Sequence, residues 1–323
     1  MTAAWWVLPV AYALDRLLGD PRWLPHPVVG MGKAITAIEA AIRRLAKPRA
    51  YRAAGLLLPL LVVGGSFALT WAVLWLLAQV SPWLAALAEA ALIATTIAAK
   101  GLQEAGMEVY GHLRRGDLPA ARRALGMIVG RDTAHLQEPD VVRGAVETVA
   151  ENIVDAVISP LFFAVLGGAP LAMAYRAVNT LDSMVGYRNE KYIDLGWASA
   201  RLDDIANYIP ARLTALLLIA AAWFLRFDAK RAAALVRRDA SSHPSPNSGY
   251  PESAVAGALG VRLGGENSYQ GIVSFRSYMG DKTRELEAGD IPKTSRMLYW
   301  VSSAFVVIGT LAGIVLSGGF NWI

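Results

Sequence analysis

Three clusters of acids, amides and arginines stand where apolar stretches of this chain begin or end, and they hold the side chains best suited to chemistry. In Glu147-x3-Glu151-Asn152-x2-Asp155, steps of four set Arg143, Glu147, Glu151 and Asp155 in a slowly winding row on one helix face. Arg143 answers Glu147 as an ordinary ion pair. Glu151, Asn152 and Asp155 run straight into the apolar residues 157–163 with no basic neighbour in sequence. Carboxylates at a membrane boundary are costly unless they hold a cation or a substrate, and hard oxygens of this kind suit Mg²⁺. A solvated, salt-bridged helix is the plainer account of the same row.

The second cluster is Arg176-x2-Asn179-Thr180-Leu181-Asp182-Ser183-x3-Tyr187-Arg188. On a helix, Arg176, Asn179, Thr180, Ser183 and Tyr187 share a face with Asp182 beside it. Either the stripe binds a ligand or it supplies interhelical hydrogen bonds within a bundle. The third, Arg201-Leu202-Asp203-Asp204-x2-Asn207, pairs acids as phosphotransfer metal sites do. Its plainer reading is dipole stabilisation of the helix that follows. A fourth segment, Ser245-Pro246-Asn247-Ser248-Gly249, offers small residues and amides that can approach phosphate. No Gly-Lys-Ser/Thr follows it, so it is not a Walker A loop, and an ordered turn is the default. His26, in His26-Pro27, reads as a structural hydrogen-bonding group rather than a base.

The elements that must position these groups are helices, most of them in a membrane. The chain has 323 residues, 55% hydrophobic and 18% charged, with a mean hydropathy of +0.38, which is far more apolar than a soluble domain requires. Residues 55–80 and 83–99 read as a helical hairpin split at Ser81-Pro82, and 208–227 and 298–320 as further spans. Residues 157–178 are apolar but interrupted by Gly167-Gly168-Ala169-Pro170, which leaves two readings: a kinked span, or two half-helices that dip in and return. Residues 1–14 lack the basic start and small-residue cleavage site of a signal peptide, so a short retained helix is expected there. Residues 102–113, 119–129 and 140–155 read as polar helices, the last opened by Glu138-Pro139-Asp140 as a cap. Residues 241–271 read mostly as ordered loop with a short helix over 252–259. The expected fold is thus an all-α polytopic membrane bundle of about 4–6 spans, with a re-entrant hairpin as one option, forming a single domain over residues 1–323.

The net charge is +5. Its basic residues gather before the first strong span (Arg43, Arg44, Lys47, Arg49, Arg52), after the hairpin, and after residue 227. That places these loops in the cytoplasm against anionic lipid and accounts for the charge without nucleic acid. The side faced by residues 179–207 stays open on this count. There is no cysteine, which excludes disulfides, thiolate metal sites and cysteine nucleophiles, and the four histidines form no i,i+4 pair.

The motifs taken together resemble the CobD/CbiB family of cobalamin biosynthesis, the adenosylcobinamide-phosphate synthases. Nearly the whole chain carries the resemblance: Leu14-Asp15-Arg16, Gly19-Asp20-Pro21, His26-Pro27, Gly130-Arg131-Asp132-Thr133, Glu151-Asn152-x2-Asp155-x3-Ser159-Pro160, Asn179 to Tyr187, Arg201-Leu202-Asp203-Asp204 and Ser245 to Gly249. The resemblance implies a multi-pass ligase of the cell inner membrane. It would join a propionate of adenosylcobyric acid, a corrinoid, to (R)-1-amino-2-propanol or its O-phosphate, with ATP as cosubstrate and Mg²⁺. A carboxylate acylates an amine only after activation, and phosphorylation needs shielding of the transferred charge. On that implication Glu151, Asn152, Asp155, Asp182, Asp203 and Asp204 are candidate metal ligands, with Asp182, Asp203, His243 and Arg131 as the catalytic set. Arg176, Lys191, Asn179, Ser183, Tyr187, Ser245, Asn247 and Gly249 are candidate ATP and phosphate contacts, and His243 or His26 a proton acceptor for the amine. Other late cobalamin-pathway enzymes and a second copy of the chain are partners it leaves open. Rival readings are a non-catalytic membrane sensor of the AmpE type and a corrinoid-handling transporter or scaffold.

Overall fold

Runs of Leu, Val, Ala and Trp without charge have one stable form in hydrocarbon, the helix, because each amide must find its partner within the segment. The computed structural model of the chain describes residues 5–19, 26–269 and 271–316. Among these, four helical stretches are long and apolar enough to cross a membrane, or five if Trp197–Ala206 and Tyr208–Phe224 count as one. The chain is therefore a multi-pass helical membrane protein. Asp20 and Pro21, and the last residues of the span expected over 298–320, lie outside the described residues.

The chain packs as two compact units rather than as one cluster of contacts. The first is drawn from Met1–Ala98, Ser159–Asn207 and Val306–Ile323. Its helices are α1 (Val7–Leu18), α2 (Pro27–Leu45), the short α3 (Tyr51–Ala54), α4 (Leu57–Val80), α5 (Pro82–Ala94), α9 (Ser159–Val185) and α10 (Trp197–Ala206). Helix α4 is apolar all round, and Leu60, Leu61, Leu69, Trp71, Trp75 and Leu76 remain exposed, as lipid-facing residues do. Its buried side chains Leu58 and Val62 join Met31 and Ile35 of α2 and Met173, Ala177 and Leu181 of α9 in one core.

The Gly-Gly-Ala-Pro interruption in α9 is a reversal. Gly167 and Gly168 leave helical geometry, Gly168 with φ 65°. Phe163 and Tyr175 stack with ring centroids 5.1 Å apart. The hydroxyls of Ser159 and Tyr175 both donate to Asn207 Oδ1, at 2.6 and 2.8 Å. These two residues are 16 positions apart, so a straight helix would separate them by about 24 Å. The first half of α9 therefore dips in and returns, which is the re-entrant option left open by the sequence. Buried Glu89 of α5 accepts from the Ala169 amide at 3.2 Å, closing the N-terminus of the returning half. Gly168 is needed twice over: its φ is left-handed, and a Cβ there would run into the Glu89 carboxylate.

The returning half ends where α4 begins. Arg43 donates to the Lys191 carbonyl at 2.9 Å, Trp197 Nε1 to the Arg52 carbonyl at 2.6 Å, and a Cβ on Gly55 would meet Leu195. Residues 186–197 thus sit at the Arg43-to-Arg52 end of the unit. Helix α10 climbs back from there to Asn207. The segment is folded into the unit rather than looped outside it.

The second unit is drawn from Ala99–Ile158 and Tyr208–Phe305. It holds α6 (Ala99–Arg114), α7 (Leu118–Gly126), α8 (Glu138–Ile153), a π-turn Val154–Ile158, α11 (Tyr208–Phe224), α12 (Ala229–Asp239) and α13 (Gly249–Leu259). The antiparallel strands β1 (Leu263–Tyr269) and β2 (Ile272–Met279) follow. Helix α14 (Asp290–Leu316) starts in this unit and ends in the first. Three expectations need correction. Residues 241–271 are not mostly loop, because α13 starts at Gly249 and β1 lies within them. The cap of α8 is Gln137, without a side-chain bond, and Glu138 and Asp140 stand in the first turn where the helix dipole favours acids. Tyr187 lies beyond the end of α9 and 57% exposed, so it leaves the face of Asn179 and Ser183.

Candidate functional site

In the first unit the second and third clusters lie on α9 and α10, two helices packed against each other. Along α9, Thr180 donates to the Arg176 carbonyl at 2.7 Å and Ser183 to the Thr180 carbonyl at 2.9 Å, while Arg176 donates to Asn179 Oδ1 at 3.4 Å. Asp182 stands over the helix end, so close to Gly186 that a Cβ there would strike its carboxylate. On α10, Arg201 pairs with Asp204 at 3.3 Å. Asn207 donates to Asp203 Oδ2 at 3.0 Å while accepting from Ser159 and Tyr175. Asp203 therefore belongs to the clasp that holds the re-entrant pair, not to the first turn of the next helix.

Lys191 is held at the basic end by Glu39, 3.7 Å away, and lies 4.5 Å from the Tyr192 ring. Its bond to Tyr192, and then Glu39, raise its pKa, so it stays a cation and is no base. His26 accepts from the Val28 amide at 3.2 Å and caps α2, the structural role its position suggests.

In the second unit a buried polar network joins α8, α13 and the strands. The Gly264 amide donates to Glu147 Oε1 at 2.8 Å, and Arg143 donates to the carbonyls of Gly264 and Glu266 at 2.7 and 2.9 Å. Arg131, 8% exposed, donates to Glu147 and Asn267. Its charge is spent holding the hairpin to α8, so it is not carried further as a member of the catalytic set.

Beyond this knot, Ser248 donates to Glu151 Oε1 at 2.9 Å. The Ser245 segment is an ordered turn: Ser245 Oγ accepts from the amides of Asn247 and Ser248 at 3.2 and 3.3 Å, and Asn247 Oδ1 accepts from Arg212. A Cβ on Gly249 would collide with the Ala240 carbonyl, so Gly249 is a close-packing residue. His243 Nδ1 accepts from the Ser245 amide at 3.0 Å, which leaves the proton on Nε2, 3.8 Å from Glu252 Oε1. Among the described residues neither Nε2 nor that Oε1 has a hydrogen-bond partner. Burial lowers the His243 pKa, and burial, then Glu151 and Glu147, push Glu252 well above the usual carboxylate range.

Arg276 of β2 donates to the Tyr269 hydroxyl at 2.9 Å. Burial works against its charge, but Tyr269, Glu151, Glu252 and Glu147 hold it. Glu151 thus has the cationic neighbour its sequence surroundings lack. Glu252 and Arg276 escape sequence reading, and Ser248 is read there only as part of a turn, because a hairpin and a helix start bring them to α8. Asp155 lies in the π-turn, which shifts it off the row of fours.

Among the described residues no three His, Asp or Glu side chains converge as a metal site. What each unit presents is a small set of half-buried carboxylates, Asp182, Asp203 and Asp204 in the first and Glu151 and Asp155 in the second, beside amides and hydroxyls.

Comparison with known proteins gives these polar clusters a context. A family model described as CobD/Cbib protein matches residues 8–298. The cobalamin biosynthesis protein CobD of Geobacter metallireducens is 50% identical over 317 residues, covering 98% of this chain and 99% of the relative. That of Photorhabdus laumondii is 46% identical over 319 residues, 98% of this chain and 99% of the relative. The cobalamin biosynthesis protein CbiB of Salmonella paratyphi B is 46% identical over 310 residues, 96% of this chain and 97% of the relative. No solved structure matches.

Proposed function

The chain belongs to the CobD/Cbib protein family, and from that premise we propose that it acts in cobalamin biosynthesis as a ligase of the cell inner membrane. The reaction joins a propionate carboxylate of adenosylcobyric acid to (R)-1-amino-2-propanol or its O-phosphate, with ATP activating the carboxylate. The observation that carries this reading is similarity over nearly the whole chain to relatives named for cobalamin biosynthesis. The polar residues of α8, α9 and α10 supply groups the chemistry needs.

Mg²⁺ fits this donor set. Magnesium is commonly held by one or two carboxylates together with phosphate oxygens and water, not by a full protein cage. Asn152 and Asp155 in the second unit, and Asp182 and Asp204 in the first, are half-buried oxygen donors of that kind. When bound with ATP the ion supplies shielding of the charge on the transferred phosphoryl group. Arg176, Asn179 and Ser183 offer further phosphate contacts, and Lys191 a fixed positive charge.

His243 is neutral, but its Nδ1 lone pair is engaged by the Ser245 amide. It orients the loop before α13 more readily than it takes a proton. Glu151 gives one of its about four lone-pair sites to Ser248, so it is the acceptor left for the amine proton.

The test is ATP-dependent consumption of adenosylcobyric acid with either amine by the purified protein in nanodiscs. Product formation is expected, and Asp182→Ala at wild-type rate would remove that residue from the site. The folded-back α9 is the one feature that favours a corrinoid-handling transporter instead. Movement of corrinoid into vesicles without product would select that reading.

A further inference from the structure

We infer that a cavity at the basic end of the first unit is a binding pocket for the phosphate group of a small phosphomonoester. Its volume is about 300 Å³, and its walls include Arg52, Arg188 and Arg201 with the aromatic rings of Tyr187, Tyr192 and Trp197. The inference deepens the proposed function and rests on it in one respect: a phosphorylated amino alcohol is one of the two amine substrates named there.

The charge balance selects an anion. Three guanidinium groups line the cavity, and among the described residues the only carboxylate lining it is Asp204, which pairs with Arg201 at 3.3 Å. Neither Arg52 nor Arg188 has a carboxylate partner among the described residues. Lys191, the nearby ammonium, is drawn off to Glu39. Two uncompensated guanidinium charges match a phosphomonoester, whose charge near neutral pH is about −1.5 to −2, better than a single carboxylate. Guanidinium forks also suit its oxygens.

The walls are built before a ligand arrives. Arg52 lies 5.0 Å from the Trp197 ring, and Trp197 Nε1 is anchored on the Arg52 carbonyl. Asn189 Oδ1 accepts from the Tyr192 amide at 3.1 Å, and the Gly196 amide donates to the Tyr192 carbonyl at 2.7 Å. Arg43 secures the Lys191 carbonyl. A preordered loop leaves little entropy to lose on binding. The volume is at the small end of ligand pockets, enough for an amino alcohol phosphate and far too small for a corrin.

The experiment is isothermal titration of the full chain in phosphatidylcholine nanodiscs with O-phosphoethanolamine, without ATP or corrinoid. Saturable binding is expected, weakened roughly thirtyfold or more by R52Q/R188Q, as for losing two charge-assisted hydrogen bonds. R188Q alone, at an exposed position, should weaken binding severalfold while leaving the melting temperature unchanged, and R188K should restore part of it. Ethanolamine should not compete. Equal affinity in wild type and R188Q overturns the inference. So does displacement by a non-hydrolysable ATP analogue, which reassigns the pocket to nucleotide. Loss of binding in phosphatidylglycerol nanodiscs also overturns it, because the site would then hold a lipid headgroup. If phosphoamine binds as expected but no amine is ligated, the proposed function fails alone; if ligation proceeds without this binding, the pocket fails alone.

Discussion

Replacing Asn207 by alanine removes the clasp of the re-entrant pair, and its cost can be worked from the hydrogen bonds. Asn207 is 1% exposed; it accepts from Ser159 at 2.6 Å and Tyr175 at 2.8 Å and donates to Asp203 at 3.0 Å. Ser159 and Tyr175 are themselves buried, so their hydroxyls cannot turn to water. Side-chain hydrogen bonds in membrane proteins average about 0.6 kcal/mol and reach about 1.7, whereas a buried polar group left without a partner costs about 1–3 kcal/mol. The three bonds together predict a loss of about 2–4 kcal/mol, above three average bonds because two buried hydroxyls lose their common acceptor.

Tyr175→Phe and Ser159→Ala each leave Asn207 with its other donor and should cost about 0.5–1.5 kcal/mol. The assay is reversible unfolding in mixed micelles, with N207A/Y175F as a double-mutant cycle. Strong coupling is expected, since Tyr175→Phe in the N207A background removes a hydroxyl that already lacks its acceptor. Additive losses, or an N207A midpoint equal to wild type, would show that the halves of α9 are held by packing alone.

Gly168→Ala should destabilise by roughly 1–3 kcal/mol, because it forces a side chain into left-handed backbone and against Glu89; equal melting of variant and wild type would contradict the reversal at Gly168. The raised pKa of Glu252 means the folded chain holds a proton that the unfolded chain has released, so stability falls as pH rises. The lowered His243 pKa opposes this only in the acid range below the ordinary histidine pKa, and E252Q should flatten the decline in a pH series of melts. In this cysteine-free chain, Asn189→Cys should react with a membrane-impermeant maleimide from the same side as Arg49→Cys, the cytoplasmic one; labelling from opposite sides would overturn the placement of residues 186–197. Glu151→Gln should lower ligation by about 100-fold or more if Glu151 takes the amine proton, with the fold checked by an unchanged melting curve.

Much of this protein follows from composition and spacing alone. Residues that must satisfy their amides in lipid form helices whatever their neighbours, so α4, α5, α11 and α14 are legible as apolar runs, and the motif order identifies the family. The Gly167-Gly168-Ala169-Pro170 break is equally plain as a break. Its consequence is not, because a kink and a reversal have the same local sequence. Only the long-range partners Glu89 and Asn207, distant in sequence, decide between them. The same reason governs the site. Periodicity already sets Asn179 beside Arg176 and Asp203 beside Asn207, but that Glu151 meets Ser248, and Asn207 meets Ser159 and Tyr175, depends on contacts made after the helices pack. Arg276 gains its place beside Glu151 through a hairpin whose glycines read as loop, and Arg188 and Arg52 become one pocket because residues 186–197 return to the start of α4. The spans and the chemistry-bearing residue types are local properties, whereas partners and pockets belong to the tertiary fold.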